Sequence, residues 1–338
     1  MKPTDFSINI STYLSKYLPG MAGLSTNTIL SYRDMFTVLL NFYEFELSIP
    51  AEKIQMRHFN QENLSRFINW LENKRGNSTS TRNIRLAAIH AFARYIVRKD
   101  PSLMFEMQKV LSIPYKKTGK GSLEYINQNA MQILLGLPDT GIKAGLRDAA
   151  LLSLMYDSGC RVQELCDIRP CDIRLDQPST VKITGKGNKT RIVPILPSMA
   201  KLLKNYMESH DLIRESQNFS PLFQNRMGSK LTRKGISYIV DKYVQEARKN
   251  CQASYPEKFT PHCFRHSKSM HLLHAGINLI YIRDLLGHAD IKTTEIYARI
   301  DGEMKRKALE RGMDLVPEDQ APIWQENKSL LEWLNSLG

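Results

Sequence analysis

The chain has 338 residues, which is long enough for two domains that each bury a core of their own. It carries 47 Lys and Arg against 34 Asp and Glu, and the net charge of +13 makes nucleic acid the first partner to consider, although a solvated basic surface gives the same balance. The five cysteines form no disulfide-like framework, and neither a secretion signal nor an apolar run of roughly 18 residues is present, so we expect a cytoplasmic protein that does not cross a membrane.

Apolar residues recur at helical spacing in four stretches of the first third of the chain, which predicts a helical domain over residues 1–112. The first helix is expected to end at Pro19 and Gly20, the second and third begin near Ser25 and Asn60, and the fourth follows a polar turn. Their apolar faces are formed by Phe6, Ile10, Tyr13, Leu14 and Tyr17, by Ile29, Tyr32, Phe36, Leu39, Leu40 and Tyr43, by Leu64, Phe67, Ile68 and Leu71, and by Ile84, Ala88, Phe92 and Ile96.

The fourth predicted helix also carries four arginines, Arg82, Arg85, Arg94 and Arg98. Arginines on a helix can contact DNA phosphates and position a protein on the duplex without reading its sequence. A solvated helix face explains the same residues, and the sequence does not separate the two interpretations. We therefore treat Arg82 and Arg85 as candidate DNA-binding residues.

Residues 113–122 are predicted to be a linker. The stretch IPYKKTGKG within it is polar, basic and rich in residues that form turns. A basic linker suits a segment that lies along DNA.

The second domain is predicted over residues 123–312 as a mixture of helices and a small antiparallel sheet, because helical periodicity alternates there with a short strand pattern. The predicted elements are a helix over 147–157 that ends at Gly159, a short helix from Arg161, strands around Val181–Ile183 and Val193–Ile195 joined by a turn over 185–190, and helices after Pro197 and over 233–250.

Thr260 and Pro261 are typical of a helix start, with threonine as the N-cap and proline at the first helical position. His262 then lies in the first turn, and Arg265 shares its face. The free N–H groups and partial positive charge of a helix N-terminus favour a phosphate, and an arginine fork matches two phosphate oxygens. The sequence therefore predicts an oxyanion site at this helix start.

A zinc site is the alternative for the same stretch, which contains His262, Cys263, His266, His271 and His274. The chain has no C-x-x-C and no H-E-x-x-H spacing. His271 and His274 alternate with apolar residues, which is typical of histidines that pack in or against a helix. We therefore expect no metal.

A further helix is predicted over 277–286, ending at Gly287, and the backbone of this glycine aims the following His288. Tyr297 comes nine residues later, beyond Asp290, a candidate N-cap. Taken alone, His288 is typical of a surface imidazole and Tyr297 of a core residue.

Considered together, four motifs resemble those of the tyrosine recombinase family, which includes phage integrases and Xer-like recombinases. They are G-C-R-V-x-E-L at 159–165, H-x-x-R at 262–265, L-L-G-H at 285–288, and the tyrosine nine residues further on. The resemblance covers roughly residues 146–298, and the helical first third is similar to the family's core-binding domain. It implies a mainly α fold, with a mixed α+β catalytic domain, in which the two domains form a C-shaped DNA clamp.

The resemblance also implies a complete catalytic set. Its members are the two arginines Arg161 and Arg265, the lysine Lys186 on the turn between the strands, the histidines His262 and His288, and the nucleophile Tyr297. Glu164 would orient Arg161, and Lys182 and Lys189 lie near enough in sequence to leave the choice of lysine open.

The implied reaction is site-specific DNA recombination. Tyr297 attacks a DNA phosphodiester and forms a 3′-phosphotyrosine, while Arg161 and Arg265 neutralise charge on the phosphate oxygens. Lys186 protonates the leaving 5′-hydroxyl. These cations supply what a metal supplies elsewhere, and the phosphotyrosine keeps the bond energy, so the resemblance implies neither a metal nor a nucleotide cofactor.

The implied partners are a double-stranded recombination site and three further copies of the chain, in a homotetramer on two duplexes at the nucleoid, as in recombinases of mobile elements. A helix in the 313–338 tail, with Trp324 and several leucines, either packs on its own domain or docks on a neighbouring protomer. Two other functions stay open: a type IB topoisomerase-like enzyme that relaxes supercoils without exchanging strands, and a DNA-binding regulator without catalysis.

Overall fold

The computed structural model describes residues 2–119, 124–250, 255–287 and 294, and the chain divides into two compact units, Met1–Gly121 and Ser122–Gly338. Each unit has a hydrophobic core of its own. The division lies at the end of the predicted 113–122 linker. None of the helices in the described ranges combines the length and the apolar character that crossing a bilayer demands.

The first unit is built from helices, as predicted. They are α1 (Asp5–Thr12), which continues as a π-helical segment (Tyr13–Met21), α2 (Thr26–Leu47), α3 (Gln61–Asn73), α4 (Thr79–Lys99) and α5 (Met104–Leu111). Asn60 begins α3 by accepting a hydrogen bond from the backbone N–H of Asn63 at 3.0 Å, and Ser78 begins α4 in the same way. Capping residues thus set the starts of these two helices.

Two features of this unit differ from the prediction. The first helix does not end at Pro19 and Gly20 but continues to Met21 in π-helical form. Proline has no N–H to donate, yet Tyr13 and Leu18 are only 1% and 2% exposed, and their burial holds the segment against the core. Helix α5 is absent from the prediction because its eight residues form barely two turns of apolar pattern.

Phe92 of α4 lies at the centre of the first core. Its ring centroid is 5.1 Å from that of Tyr13, 5.1 Å from that of Phe36 and 5.2 Å from that of Phe59. All three pairs are edge-to-face, an arrangement that adds attraction beyond the area that is buried. This cluster joins the π-helical segment, α2 and the chain before α3 to α4.

The segment that follows α5 packs on α4, although its composition predicts a free linker. Its first residue, Ile113, is 5% exposed. Arg82 donates from Nη1 to the carbonyl of Pro114 at 2.8 Å, and Asn83 bonds to the backbone of Lys116 in both directions, at 2.8 and 3.2 Å. Because α4 supplies partners for its backbone, the start of the predicted linker is part of the first unit.

The second unit combines helices with a small sheet, which confirms the predicted fold class. Its elements are α6 (Gln128–Gly136), α7 (Lys143–Ser158), α8 (Val162–Asp167), β1 (Ile173–Arg174), β2 (Thr180–Thr184), β3 (Thr190–Pro194), α9 (Pro197–Ser209), α10 (Arg233–Asn250), α11 (Pro261–His274) and α12 (Leu279–Leu286). The strands pair antiparallel in the order β1-β2-β3, with Ile183 opposite Arg191. Strand β1 is absent from the prediction because two residues carry no alternation.

We expect Phe92→Ala to lower the free energy of unfolding of the first unit by about 3–5 kcal/mol, because it leaves a cavity in a packed core. Phe45→Ala is the matched control, since that side chain is 75% exposed, and its loss changes stability by about 0.5 kcal/mol or less. Urea unfolding of the full chain, followed by circular dichroism, measures both. Equal losses in the two variants would contradict the central placement of Phe92.

Candidate active site

The site starts at the turn between α7 and α8. Helix α7 ends at Gly159, whose φ of +56° is the left-handed conformation that glycine adopts without strain. Space also excludes a side chain there, because a Cβ would lie 2.8 Å from Cδ2 of Leu286. Two residues later Arg161 is the N-cap of α8. The α7–α8 turn therefore lies directly against the end of α12, and Arg161 is the last residue of this turn before α8.

Arg161 and Glu164 form an ion pair across the first turn of α8. Nη1 of Arg161 donates to Oε1 of Glu164 at 2.8 Å, and the backbone N–H of Arg161 donates to Oε2 at 2.9 Å. The glutamate side chain is 4% exposed, whereas the arginine side chain is 41% exposed. Glu164 is thus a buried support for an arginine that still faces solvent.

Arg191 of β3 is a third member of this cluster, although it belongs to none of the four sequence motifs. Its Nη2 donates to Oε2 of Glu164 at 2.8 Å, and its Nε donates to the carbonyl of Leu285 at 2.9 Å. Strand alternation is the signal that identifies it, because residue 191 shares a face with Val193, which is 1% exposed. An arginine on the inward face of a strand needs a buried partner.

The pKa of Glu164 is held below its ordinary value. Burial alone would raise this pKa, but the hydrogen bonds from Arg191 and Arg161 outweigh it. Glu164 is therefore ionised at neutral pH. Gly185, at the end of β2, packs closely on the carboxylate, since a Cβ there would lie 2.9 Å from Oε1 of Glu164.

Arg265 of α11 lies buried beside these groups. Its side chain is 1% exposed, and Nη1 and Nη2 donate to the carbonyls of Gly159 and Leu286, each at 2.7 Å. Carbonyls at helix C-termini have no intrahelical partner and attract cations. Arg265 thus ties the ends of α7 and α12 to α11. The sequence predicts a phosphate as the partner of this fork, whereas here the fork holds two backbone carbonyls.

His262 lies in the first turn of α11, which begins at Pro261 with Thr260 as its N-cap, and its side chain is exposed. Partial burial of the ring, and then the charges of Arg265 and Arg161, lower the pKa of His262. The imidazole is therefore neutral at neutral pH. Because both arginines act on it, the three side chains share one electrostatic environment.

His266 packs edge-on against His262, with ring centroids 4.7 Å apart. Burial, followed by His262 and Arg265, lowers the pKa of His266 to about 4. This ring therefore adds no positive charge beside His262. In the sequence His266 is a candidate metal ligand only, because its spacing does not show which ring it meets.

The clustered histidines do not surround a common point. His271 accepts a hydrogen bond at Nδ1 from the hydroxyl of Tyr156 at 2.8 Å, and its Nε2 donates to the carbonyl of Ile126 at 2.8 Å. It therefore holds the start of the second unit onto α11. Across the part of the chain that the structure describes, no three His, Cys, Asp or Glu side chains are placed to hold a metal ion.

Three predicted site residues are described in part or not at all. Lys186 opens the 3₁₀ turn between β2 and β3, and its side chain lies outside the described atoms. His288 and Tyr297 both lie outside the described residues. In the sequence His288 directly follows Gly287, the cap of α12, and Tyr297 comes nine residues later. The alternative lysines, Lys182 and Lys189, are both exposed.

The two candidate DNA-binding arginines lie on α4 in the first unit. Arg82 is 4% exposed and holds the segment after α5, so in this conformation it supports the unit instead of facing solvent. Its spacing to Leu86 and Ile89, both 0% exposed, places it on the core face. The apolar face predicted for α4 is wrong at Ile84, which is 60% exposed. Arg85 is half-buried.

Two family models match the chain. The model described as Phage integrase family matches residues 124–304, and the model described as Phage integrase, N-terminal SAM-like domain, matches residues 11–100. The first match lies in the second unit and the second match lies in the first unit.

Relatives of similar length match most of the chain. The chain is 31% identical to y4rC of Sinorhizobium fredii, a candidate integrase/recombinase, over 93% of this chain and 92% of that protein. It is 31% identical to the tyrosine recombinase XerD of Staphylococcus epidermidis, over 88% of this chain and 97% of that protein. It is also 31% identical to XerD of Oceanobacillus iheyensis, over 82% and 89%.

Solved structures share the fold. The XerH site-specific recombinase, bound to its difH substrate in a pre-cleavage complex, is 23% identical with a TM-score of 0.65, over 88% of this chain and 84% of that one. The Tn1549 transposon integrase, in complex with transposon right end DNA, is 15% identical with a TM-score of 0.65, over 88% and 99%. At these identities the likeness concerns the fold alone.

We expect Gly159→Ala to destabilise the second unit by more than the cost of about 1 kcal/mol for a left-handed alanine, because the new methyl also collides with Leu286. Gly276→Ala is the matched control, since its φ is +80° and a Cβ there meets no atom within 4 Å. Thermal melting of both variants measures the difference. Equal destabilisation would contradict the close contact between the α7–α8 turn and α12.

Proposed function

Since the chain belongs to the phage integrase family of tyrosine recombinases, we propose that it recombines DNA at specific sites through a covalent intermediate on Tyr297. The observation that carries this proposal is the convergence of Arg161 with His262 and Arg265, although Arg161 and His262 are 101 positions apart (262 − 161) in the printed sequence. Both arginines act electrostatically on the same imidazole. Such a cationic, hydrogen-bonding cluster suits a scissile phosphate.

Arg161 is the proposed direct ligand of the phosphate. Its side chain is 41% exposed, and Glu164 anchors it through Nη1. A guanidinium has five N–H donors, so one anchored nitrogen leaves the rest of the fork for non-bridging oxygens. The guanidinium thus arrives at the phosphate already oriented, which reduces the reorganisation that binding requires.

His262 is proposed to hydrogen-bond a non-bridging oxygen. It lies in the first turn of α11, where the free N–H groups and the helix dipole favour an anion. Its lowered pKa keeps the imidazole neutral until the phosphate arrives. The negative charge of DNA then favours protonation, so the ring gains its charge where charge develops in the reaction.

Arg265 is proposed to act from behind the site. Its fork is occupied by the carbonyls of Gly159 and Leu286. A buried cation still contributes a favourable potential over a few ångströms, because screening by water is weak there. Its second contribution is to hold α12, the helix that leads directly to His288.

Tyr297, Lys186 and His288 complete the proposed reaction. The phenol oxygen of Tyr297 loses its proton to water and attacks phosphorus, the P–O5′ bond breaks, and Lys186 transfers a proton to the departing 5′ oxygen, which leaves as a hydroxyl. His288 donates a hydrogen bond to the phosphate. Attack by the 5′-hydroxyl of another strand then reverses the step and releases the tyrosine. Since each bond broken is replaced by one of the same kind, we propose no nucleotide cofactor and no metal.

The proposed assembly is a homotetramer on two duplexes. Exchange between two double-stranded sites requires four strand cleavages, and one tyrosine performs each. We propose that the protein works at the nucleoid in recombination of the kind found in mobile elements, with Arg85 contributing to contacts with the phosphate backbone. The tail helix after Pro322 is proposed to dock on a neighbouring protomer.

Covalent capture tests the reaction. Wild-type protein is incubated with fragmented genomic DNA of its source, denatured with detergent, and the DNA ends joined to protein are sequenced. We expect adducts at one short inverted repeat, and Tyr297→Phe to lower them by at least about 10⁴-fold because the nucleophile is lost.

Each other outcome has a defined meaning. Adducts at dispersed positions, with relaxation of plasmids that lack the repeat, would instead identify a type IB topoisomerase-like enzyme. Adducts that persist in Tyr297→Phe would remove this residue from the mechanism. A wild-type protein that binds the DNA and never forms an adduct would identify a regulator without catalysis.

A further inference from the structure

Arg191 connects three parts of the second unit through a single guanidinium. It lies on β3, its Nη2 contacts Glu164 on α8, and its Nε contacts the last turn of α12. The side chain is 13% exposed. Arg191 has no role in the proposed reaction, so the presence of this buried cation needs a separate explanation.

We propose that Arg191 is a positioning residue for strand cleavage, which orients Arg161 through Glu164 and places the end of α12 ahead of His288. This inference rests on the proposed recombinase function. Arg191 itself contacts no phosphate in the proposed reaction, and it acts on two residues that do.

The first effect operates through the glutamate. Oε2 of Glu164 accepts hydrogen bonds from Nη2 of Arg191 at 2.8 Å and from the backbone N–H of Arg161 at 2.9 Å. Oε1 is left to Nη1 of Arg161. Without Arg191 the second oxygen regains an acceptor position, so the carboxylate can take both arms of Arg161 in a bidentate pair. Arg191 thus keeps part of the Arg161 fork available for DNA.

The second effect operates through α12. The carbonyls of Leu285 and Leu286 receive hydrogen bonds from Arg191 and Arg265 respectively. Two cations therefore hold consecutive C-terminal carbonyls of this helix. Gly287 follows at a φ of +65°, and a Cβ there would lie 2.9 Å from Nη1 of Arg191. The glycine of the L-L-G-H motif thus allows the arginine to approach, and His288 comes next.

Arg191 also joins the strand turn to this network. It is paired with Ile183 in the sheet, one position inside the Thr184–Thr190 pair that closes the turn. Lys186 lies on that turn. The side chain that contacts Glu164 and α12 therefore belongs to a residue next to this turn.

The test compares Arg191→Met, Arg191→Lys and the control Arg174→Met. Arg174 is an exposed arginine on β1 of the same sheet, so its replacement matches the chemical change. Single-turnover adduct formation is measured on a nicked substrate built from the captured wild-type site. We expect Arg191→Met to slow cleavage by about 100-fold through misplacement of reacting groups, Arg191→Lys to fall between it and wild type, and Arg174→Met to stay within about twofold.

Two readouts separate positioning from loss of folding. DNA affinity, measured with Tyr297→Phe as the parent, should change little in the Arg191→Met variant.

The second readout is the pH dependence of cleavage, which should shift in the Arg191→Met variant. Glu164 faces Arg161, Arg191 and the thiol of Cys160, and loss of Arg191 raises the pKa of this buried carboxyl. Because the carboxylate acts only above its pKa, cleavage by Arg191→Met should fail at a higher pH than wild-type cleavage as the pH is lowered.

A double-mutant cycle with Glu164→Gln gives the decisive outcome. We expect Glu164→Gln to remove the part of the Arg191→Met effect that operates through the carboxylate, because the two residues are in direct contact, and to leave the part that operates through α12. Additive effects with an unchanged pH profile, or wild-type rates in Arg191→Met, would overturn the inference while leaving the recombinase function intact. A wild-type protein without adducts would overturn the recombinase function first, and the inference with it.

Discussion

The buried carboxylate of Glu164 organises the candidate site in the second unit. Glu164 is 4% exposed, and an ionised carboxylate at that depth is unfavourable unless charged partners compensate it. Arg161 and Arg191 provide this compensation from α8 and β3. Both arginines must therefore reach one point, and this requirement fixes the sheet relative to the helix. Gly185 is part of the same constraint, because a Cβ at this position would lie 2.9 Å from Oε1 of Glu164 and displace the carboxylate.

The ends of helices supply the second half of this arrangement. Helices α7 and α12 end beside each other, with Gly159 and Gly287 both in the left-handed conformation. Their terminal carbonyls carry partial negative charge, and Arg265 and Arg191 neutralise it. Arg265, which would be expensive to bury alone, is thus satisfied by backbone carbonyls, and two arginines, Arg161 and Arg191, share the carboxylate of Glu164. An excess of positive charge remains for an anionic substrate.

Most of the helices and strands around the site could be predicted from the sequence, because the signals that mark their ends are local. The cap at Thr260, the stop at Gly287 and the strand pattern around Val193 each depend on a few neighbouring residues. The missed features depend on distant contacts. Burial of Tyr13 carries the first helix past Pro19. Arg191 is not among the predicted site residues, because strand alternation indicates only its inward face and its partners come from the distant α8 and α12.

Arg161 and Arg265 show what the sequence motifs do not predict, which is the environment of each arginine. G-C-R and H-x-x-R specify a residue type and a helix position, and both would suit a phosphate clamp. In the structure Arg161 is 41% exposed and Arg265 is 1% exposed, so one faces the solvent and the other holds the frame. The difference arises because Gly159 and Leu286 present carbonyls to the second guanidinium. The backbone around each arginine therefore determines whether its side chain is exposed or buried.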